Sequence, residues 1–354
     1  MKKISLLFAI ILVFSTVLIG CASNEKTEEN TNQTTTEEPS TEKLKVFTTI
    51  FPIEDFTKKI GGDVVEVESV YPAGADAHTF EPTSKTMVEI AEADAFIYSG
   101  VGLEGFTEKA EETLKDEDVT FVVAGKGIEL LSADGHDKGA HDEEAHDEGA
   151  HDEEAHDEEA HDEEAHDEEG HDEEGHAEHG DTDPHIWLDP ILSIQLAENI
   201  KNALVELNPD EKETFEKNFE SLKSDLESLD QQFKEVTESA DKKEILVSHA
   251  AYGYWETRYG IELISVLGLS PTQEPSQKEL QIIVEEAKEH DIKYVIFESN
   301  VSSNISDIVQ NEIGAESLTL RNLESITEED KTNKEDYFSL MEKNLETLKK
   351  ALTN

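Results

Sequence analysis

The chain has 354 residues, enough for one large core or two smaller ones at roughly 100 to 200 residues per domain. Its formal net charge of −55, from 84 acidic against 29 basic residues, opposes binding to nucleic acid and anionic membrane surfaces and favours cationic partners such as metal ions. A single cysteine, Cys21, excludes an internal disulfide and a cysteine-built metal site.

Met1-Lys2-Lys3 is a short positive segment, followed by an apolar run, Ile4 to Ile19, too short for a comfortable membrane span of about 20 residues. It ends in Leu18-Ile19-Gly20-Cys21. Residues 1–20 therefore read as a signal peptide. The small-residue-then-cysteine ending resembles a bacterial lipobox, which implies a lipid on Cys21 and an extracytoplasmic protein anchored to the cell membrane. Residues 21–43 are rich in Thr, Glu, Asn and Ser and almost free of apolar side chains, and are expected to be a disordered tether.

From Leu44 onward short β-rich runs alternate with helical ones. Strands are expected at Lys45–Ile50, Val64–Val70, Ala95–Tyr98 and Val119–Val123, with helices at Pro52–Ile60, Thr83–Glu92 and Gly105–Lys115 between them. This alternation predicts parallel βαβ units. It stops at Gly125 and resumes near Pro190. Ile191–Leu207 reads as a helix ended by Asn208-Pro209, with Pro209 opening a second run to about Ser239. Within that run Phe215, Phe219, Leu222, Leu226 and Leu229 step by three or four, an apolar stripe on a rod about 45 Å long. The second half returns to alternation: strands Glu244–Ser248, Ile261–Val266 and Tyr294–Phe297, helices Tyr252–Tyr259, Gln277–His290 and Ser306–Ile313, and a terminal helix Lys334–Leu352. The expected fold class is α/β, with two α/β lobes over 44–208 and 241–354, parallel sheets, and a linking helix over 209–240.

The segment 134–182 interrupts the first lobe. Residues 136–179 hold ten of the fourteen histidines, mostly as repeats of His-Asp-Glu-Glu-Ala, and Asp134 to Asp183 carries 25 acidic residues against one lysine. A period of five matches neither helix nor strand and leaves nothing apolar to bury, so disorder is expected. Clustered imidazoles and carboxylates bind divalent ions weakly. The segment reads either as an antenna feeding a tighter site or as a neutral expansion in a tolerant loop.

Four histidines remain: His78, His185, His249 and His290. His290 ends a polar helix and reads as a solvated surface residue. The others sit in Ala77-His78-Thr79-Phe80-Glu81-Pro82-Thr83, Asp183-Pro184-His185-Ile186-Trp187-Leu188-Asp189-Pro190 and Ser248-His249-Ala250-Ala251-Tyr252-Gly253-Tyr254-Trp255. Each falls near the carboxyl end of a strand or at a helix entrance, where open α/β sheets collect ligands. Together these segments resemble the three histidine motifs of metal-binding solute-binding proteins of ABC importers, the zinc branch most closely. The resemblance runs from about Leu44 to the C-terminus and includes the acidic, histidine-rich insertion. It implies two lobes joined by a rigid backbone helix with the metal between them, and His78, His185 and His249 as ligands. In the manganese branch the residue matching His249 is typically a carboxylate, so a histidine there implies Zn2+. Three imidazoles and one carboxylate also suit four-coordinate zinc better than manganese.

For the fourth ligand Glu298, in Phe297-Glu298-Ser299, competes with Glu324, in Asn322-Leu323-Glu324-Ser325. Both follow strands expected in the second lobe. The resemblance points to Glu324, with Glu298 supporting packing or hydrogen bonding; water fills the position in some relatives. Glu81, Asp183 and Asp189 read as supporting or turn residues, and Trp187 and Trp255 as core aromatics flanking the site. Zinc on three histidines with an open position could activate water, but there is no His-Glu-x-x-His run, Gly-x-Ser-x-Gly elbow or phosphate-binding glycine loop, so no enzyme is expected. The implied partners are Zn2+ and an ABC transporter permease, with the chain itself a monomer.

Overall fold

The structure is a computed structural model that describes residues 43–132, 182–299 and 303–353. The expected signal peptide, Cys21, the tether up to Glu42 and the histidine-rich run 136–179 lie outside them. Among the described residues four strands, β1 (Leu44–Thr48), β2 (Val65–Ser69), β3 (Ala95–Tyr98) and β4 (Thr120–Val123), form a parallel sheet in the order β2-β1-β3-β4. A second parallel sheet repeats the topology with β5 (Glu244–His249), β6 (Glu262–Leu267), β7 (Tyr294–Glu298) and β8 (Glu316–Leu320) in the order β6-β5-β7-β8. In each sheet the order reverses between its first and third strands, opening a crevice beyond the carboxyl ends.

Helices α1 (Phe51–Gly61), α2 (Ser84–Ala91) and α3 (Thr107–Leu114) connect the first sheet, and α6 (Gly253–Tyr259), α7 (Gln277–Glu289) and α8 (Asn304–Ile313) the second. Their starts are chemically marked. Thr83 accepts the Thr86 N–H, Ser276 and Glu279 form a reciprocal capping box, and Ser303 accepts the Ser306 N–H. The second sheet is buried on both faces, as parallel sheets require. Side chains alternate along its strands: Leu246, Ile264 and Val295 pack with α7 and α8, whereas Ile245, Val247 and Ile296 face the main core.

Between the lobes run α4 (Pro190–Leu207) and α5 (Lys212–Glu238). The latter has 27 residues, a rod about 40 Å long. Its predicted stripe is buried and continues through Phe233. This helix packs against α1 and α4 on one side and against α6 and the terminal helix α10 (Tyr337–Leu352) on the other, so it touches elements of both lobes. Pro209 opens a short 3-10 turn, Pro209–Glu211, rather than the first turn of the long helix. The C-terminal boundary also differs from expectation. A short helix, α9 (Glu328–Asn333), ends in Lys334 at φ 57°, and Asp336 then caps α10, so the last helix begins at Tyr337 instead of Lys334.

Leu226 lies at the centre of the α5 stripe with no exposed surface. Leu226→Ala is expected to cost about 3 kcal/mol in urea denaturation, whereas a loss below about 1 kcal/mol would mean that the helix is peripheral.

Candidate metal centre

His78 sits in the loop that follows β2. A Pro72–Ala75 turn, with Gly74 at φ 76°, starts this loop, and an Asx turn shapes its far end: Asp76 accepts the His78 N–H at 2.9 Å and the Thr79 hydroxyl at 3.0 Å. The loop is sewn to the second lobe. Gly74 N–H donates to the Ile326 carbonyl at 3.1 Å, Ser325 Oγ to the Ala75 carbonyl at 2.7 Å, and Ala77 N–H to Glu324 Oε2 at 3.1 Å.

His185 lies in a segment pinned at almost every residue. Asp183 Oδ1 accepts both the His185 backbone N–H, at 2.9 Å, and the ring Nδ1, at 2.7 Å. That bond fixes the tautomer and turns Nε2 toward the cleft. Trp187 Nε1 donates to the Asn322 carbonyl at 2.6 Å, Trp255 Nε1 to the Leu188 carbonyl at 2.8 Å, and Tyr337 Oη to the Trp187 carbonyl at 2.7 Å. Asp189 caps α4 and pairs with Arg258. Asp183 and Asp189 are therefore supports, and both tryptophans are fully buried. Glu81 is exposed.

His249 ends β5, and the register that pairs Leu246 with Val295 sets it beside Glu298 at the end of β7. Its Nδ1 lies 3.1 Å from Glu298 Oε2, and its Nε2 lies 2.8 Å from the Leu269 carbonyl. His290 lies apart, half-buried, with its Nδ1 3.1 Å from Glu244 rather than freely solvated.

The three predicted histidines, far apart in sequence, meet. Ring centroids are 5.4 Å apart for His78 and His185, 5.7 Å for His78 and His249, and 5.0 Å for His185 and His249. One nitrogen from each lies within 4.8 Å of the others, a spacing that could hold a metal ion. Around tetrahedral zinc such nitrogens sit about 3.4 Å apart, which lies inside that limit. Glu324 Oε1 lies 3.6 Å from His78 Nε2 and 3.8 Å from His185 Nε2. Those two nitrogens are buried without a hydrogen-bond partner, so their lone pairs could serve a metal ion. His249 differs, because a metal taking its Nε2 must displace the Leu269 carbonyl. A cavity of about 330 Å³ borders Glu324 and Tyr71 but reaches none of the three rings, so it is not the cation's chamber.

Electrostatics couple these groups. Burial works against a charged His185, but the Asp183 and Glu324 carboxylates outweigh it and push its pKa up to about 9. Burial opposes the charged His249 likewise, and Glu298 outweighs it, raising that pKa also. For Glu324 burial favours the neutral acid, yet the facing His185 and His78 rings hold its carboxyl far below the usual range.

Asn322 and the Leu269 carbonyl were not singled out in the sequence. Asn322 Nδ2 donates to Glu298 Oε2 at 3.1 Å and to Glu324 Oε1 at 3.0 Å, bridging the two carboxylates that compete for the fourth position. Its place two residues before Glu324 was the available signal.

Two parallel-sheet lobes with a largely buried three-histidine cluster define a bilobal protein with a candidate metal centre. The high-affinity zinc uptake system protein ZnuA of Bacillus subtilis is 34 per cent identical over 353 residues, 99 per cent of this chain and 98 per cent of that protein. The zinc-binding lipoprotein AdcA of Streptococcus pneumoniae is 35 per cent identical over 99 per cent of this chain, which spans only 61 per cent of AdcA's length. The solved zinc(II)-bound ZnuA-like domain of that AdcA superposes with a TM-score of 0.67 at 32 per cent identity, covering 88 per cent of this chain and all of the domain. The family model described as ZnuA, zinc-uptake complex component A, periplasmic, matches residues 46–351. The chain belongs to that family, whose members are components of an uptake complex.

Because a metal needs neutral nitrogens, protons compete with it at His185. Apparent affinity for a divalent metal should rise with pH toward about 9, with protons released on binding, in calorimetric titrations across pH 6 to 9. A flat profile would contradict this assignment. Asp183→Ala, which frees the ring, should weaken binding about 10- to 100-fold in the same titration.

Proposed function

We propose that this chain captures Zn2+ outside the cytoplasm and hands it to an ABC-type importer, with His78, His185, His249 and Glu324 as the ligands. What carries this reading is the meeting of three imidazoles from three distant segments, their candidate nitrogens within 4.8 Å of one another beside a fully buried carboxylate. The ligand chemistry favours zinc: three borderline nitrogens and one oxygen make a four-coordinate site, whereas manganese prefers more oxygen. The printed names of the relatives, a zinc uptake protein and a zinc-binding lipoprotein, support the same metal.

Glu324 is the better fourth ligand because only its Oε1 faces the open nitrogens of His78 and His185. Glu298 instead lies against His249 Nδ1, accepting also from Tyr252 Oη at 2.9 Å. A carboxylate in the fourth position closes the metal to water, which supports a carrier rather than a hydrolase. Cys21 would carry the lipid that tethers the monomer to the membrane, and an importer permease engaging both lobes would trigger release. The histidine-rich run would act as an antenna. Its ends support this role, since Ser132 bridges Thr182 and the Asp183 N–H donates to the Leu131 carbonyl, returning the chain three residues ahead of His185.

His249→Ala should lower zinc affinity by about 100-fold or more in isothermal titration, while deletion of residues 136–179 should mainly lower the number of ions bound. Equal losses of affinity in both variants would contradict the assignment. In competition, manganese at equal concentration should fail to displace zinc; displacement would overturn the metal choice.

A further inference from the structure

We infer that Asn322 is a positioning residue that sets the coordination number of the centre and thereby its metal preference. The inference rests on the zinc-site reading above and deepens it. Two buried carboxylates border the histidine cluster, Glu298 at 5 per cent and Glu324 at 0 per cent exposure. If both reached the cation, the site would offer three nitrogens and at least two oxygens, a five-coordinate, oxygen-richer set that narrows the advantage of zinc over manganese. One side chain stands between them.

Asn322 is 1 per cent exposed, and its own position is fixed from the backbone. Its carbonyl accepts Trp187 Nε1 at 2.6 Å, and its Oδ1 accepts the Glu324 N–H at 3.2 Å. That leaves the two hydrogens of Nδ2, and each meets a different carboxylate, Glu298 Oε2 at 3.1 Å and Glu324 Oε1 at 3.0 Å. The consequences for the two acids differ. Glu298 becomes fully engaged, since Tyr252 Oη holds its Oε1 at 2.9 Å and His249 Nδ1 lies 3.1 Å from its Oε2. Glu324 is left with one oxygen turned to the cleft, because Ala77 N–H holds Oε2 at 3.1 Å. Asn322 thus helps keep Glu298 on His249 and steadies the one Glu324 oxygen that Ala77 leaves facing the cleft.

The residue type matters. An amide supplies two donors without charge, so it separates the carboxylates and leaves their charge for the metal and the imidazoles. Aspartate would add a third acid and remove both donors, and a cation would neutralise the ligand itself.

The test uses the full chain as wild type, Asn322→Ala and Asn322→Asp, with Zn2+ and Mn2+ affinities from competition titrations. The Co2+-loaded visible spectrum serves as a readout of coordination number. Wild type should show the intense bands of four-coordinate Co2+. Both variants should show weaker bands of higher coordination and a zinc-over-manganese preference narrowed about tenfold or more. Adding Glu298→Gln to Asn322→Ala should restore the intense bands, because a neutral amide is a far weaker ligand than the carboxylate it replaces. If Asn322→Ala fails to fold by circular dichroism, Asn322→Ser, whose hydroxyl serves one carboxylate at most, carries the same expectation. Zinc and manganese affinities that fall by the same factor with an unchanged Co2+ spectrum would overturn the inference, as would no change at all. A wild-type chain that binds no zinc would instead overturn the site itself.

Discussion

A carboxylate stripped of water survives as an anion only among positive groups and hydrogen-bond donors, and Glu324 has no exposed surface at all. The rest of the centre follows from meeting that requirement. Its Oε1 faces His78 and His185, its Oε2 takes the Ala77 N–H, and its backbone carbonyl takes the Phe51 N–H at the start of α1. One residue of the second lobe therefore binds the first lobe through both its main chain and its side chain. Without a metal, its positive partners include His185 and His249, whose pKa values are raised; a bound cation would take their place as the protons leave. The same anion is compensated in both states, so the cluster can stay assembled while its charge carrier changes.

Rigidity around that anion comes from polar side chains buried among aromatic ones. Trp187, Trp255 and Tyr337 each use their one polar atom to hold main chain between His185 and α4 or around Asn322. This is the arrangement by which large apolar groups fill a core and still define a geometry. The long helix α5 lies behind it, its apolar stripe shared between helices of both lobes. His249 is the exception, since its Nε2 rests on the Leu269 carbonyl in the loop after β6, two residues beyond Leu267, the strand position paired with His249 itself. A cation bound at Nε2 would break this bond and so couple the site to the 268–276 loop.

Much of this was legible in the residues. Alternating apolar runs bounded by Gly, Pro and capping residues located seven of the eight described strands within a few positions, because burial on both faces makes those runs conspicuous. The strand Glu316–Leu320 was less conspicuous: four of its five residues are not buried. Prolines mark the His78 and His185 segments, a strand end marks His249, and the three converge. What periodicity could not supply was the division of labour between Glu298 and Glu324. That depends on which oxygen meets which donor across the lobes, and so on Asn322, whose partners lie 24 and two residues away along the chain. The start of α10 was missed for a local reason, the left-handed turn at Lys334.

Both lobes would hold one cation jointly at the cluster around Glu324. A crystal of the zinc-loaded protein, with anomalous difference maps on both sides of the zinc edge, tests this directly. A single strong peak is predicted at about 2.0 to 2.2 Å from a nitrogen of each of His78, His185 and His249 and from one oxygen of Glu324. A peak outside this cluster, or one bonded to Glu298 with Glu324 out of reach, would contradict it.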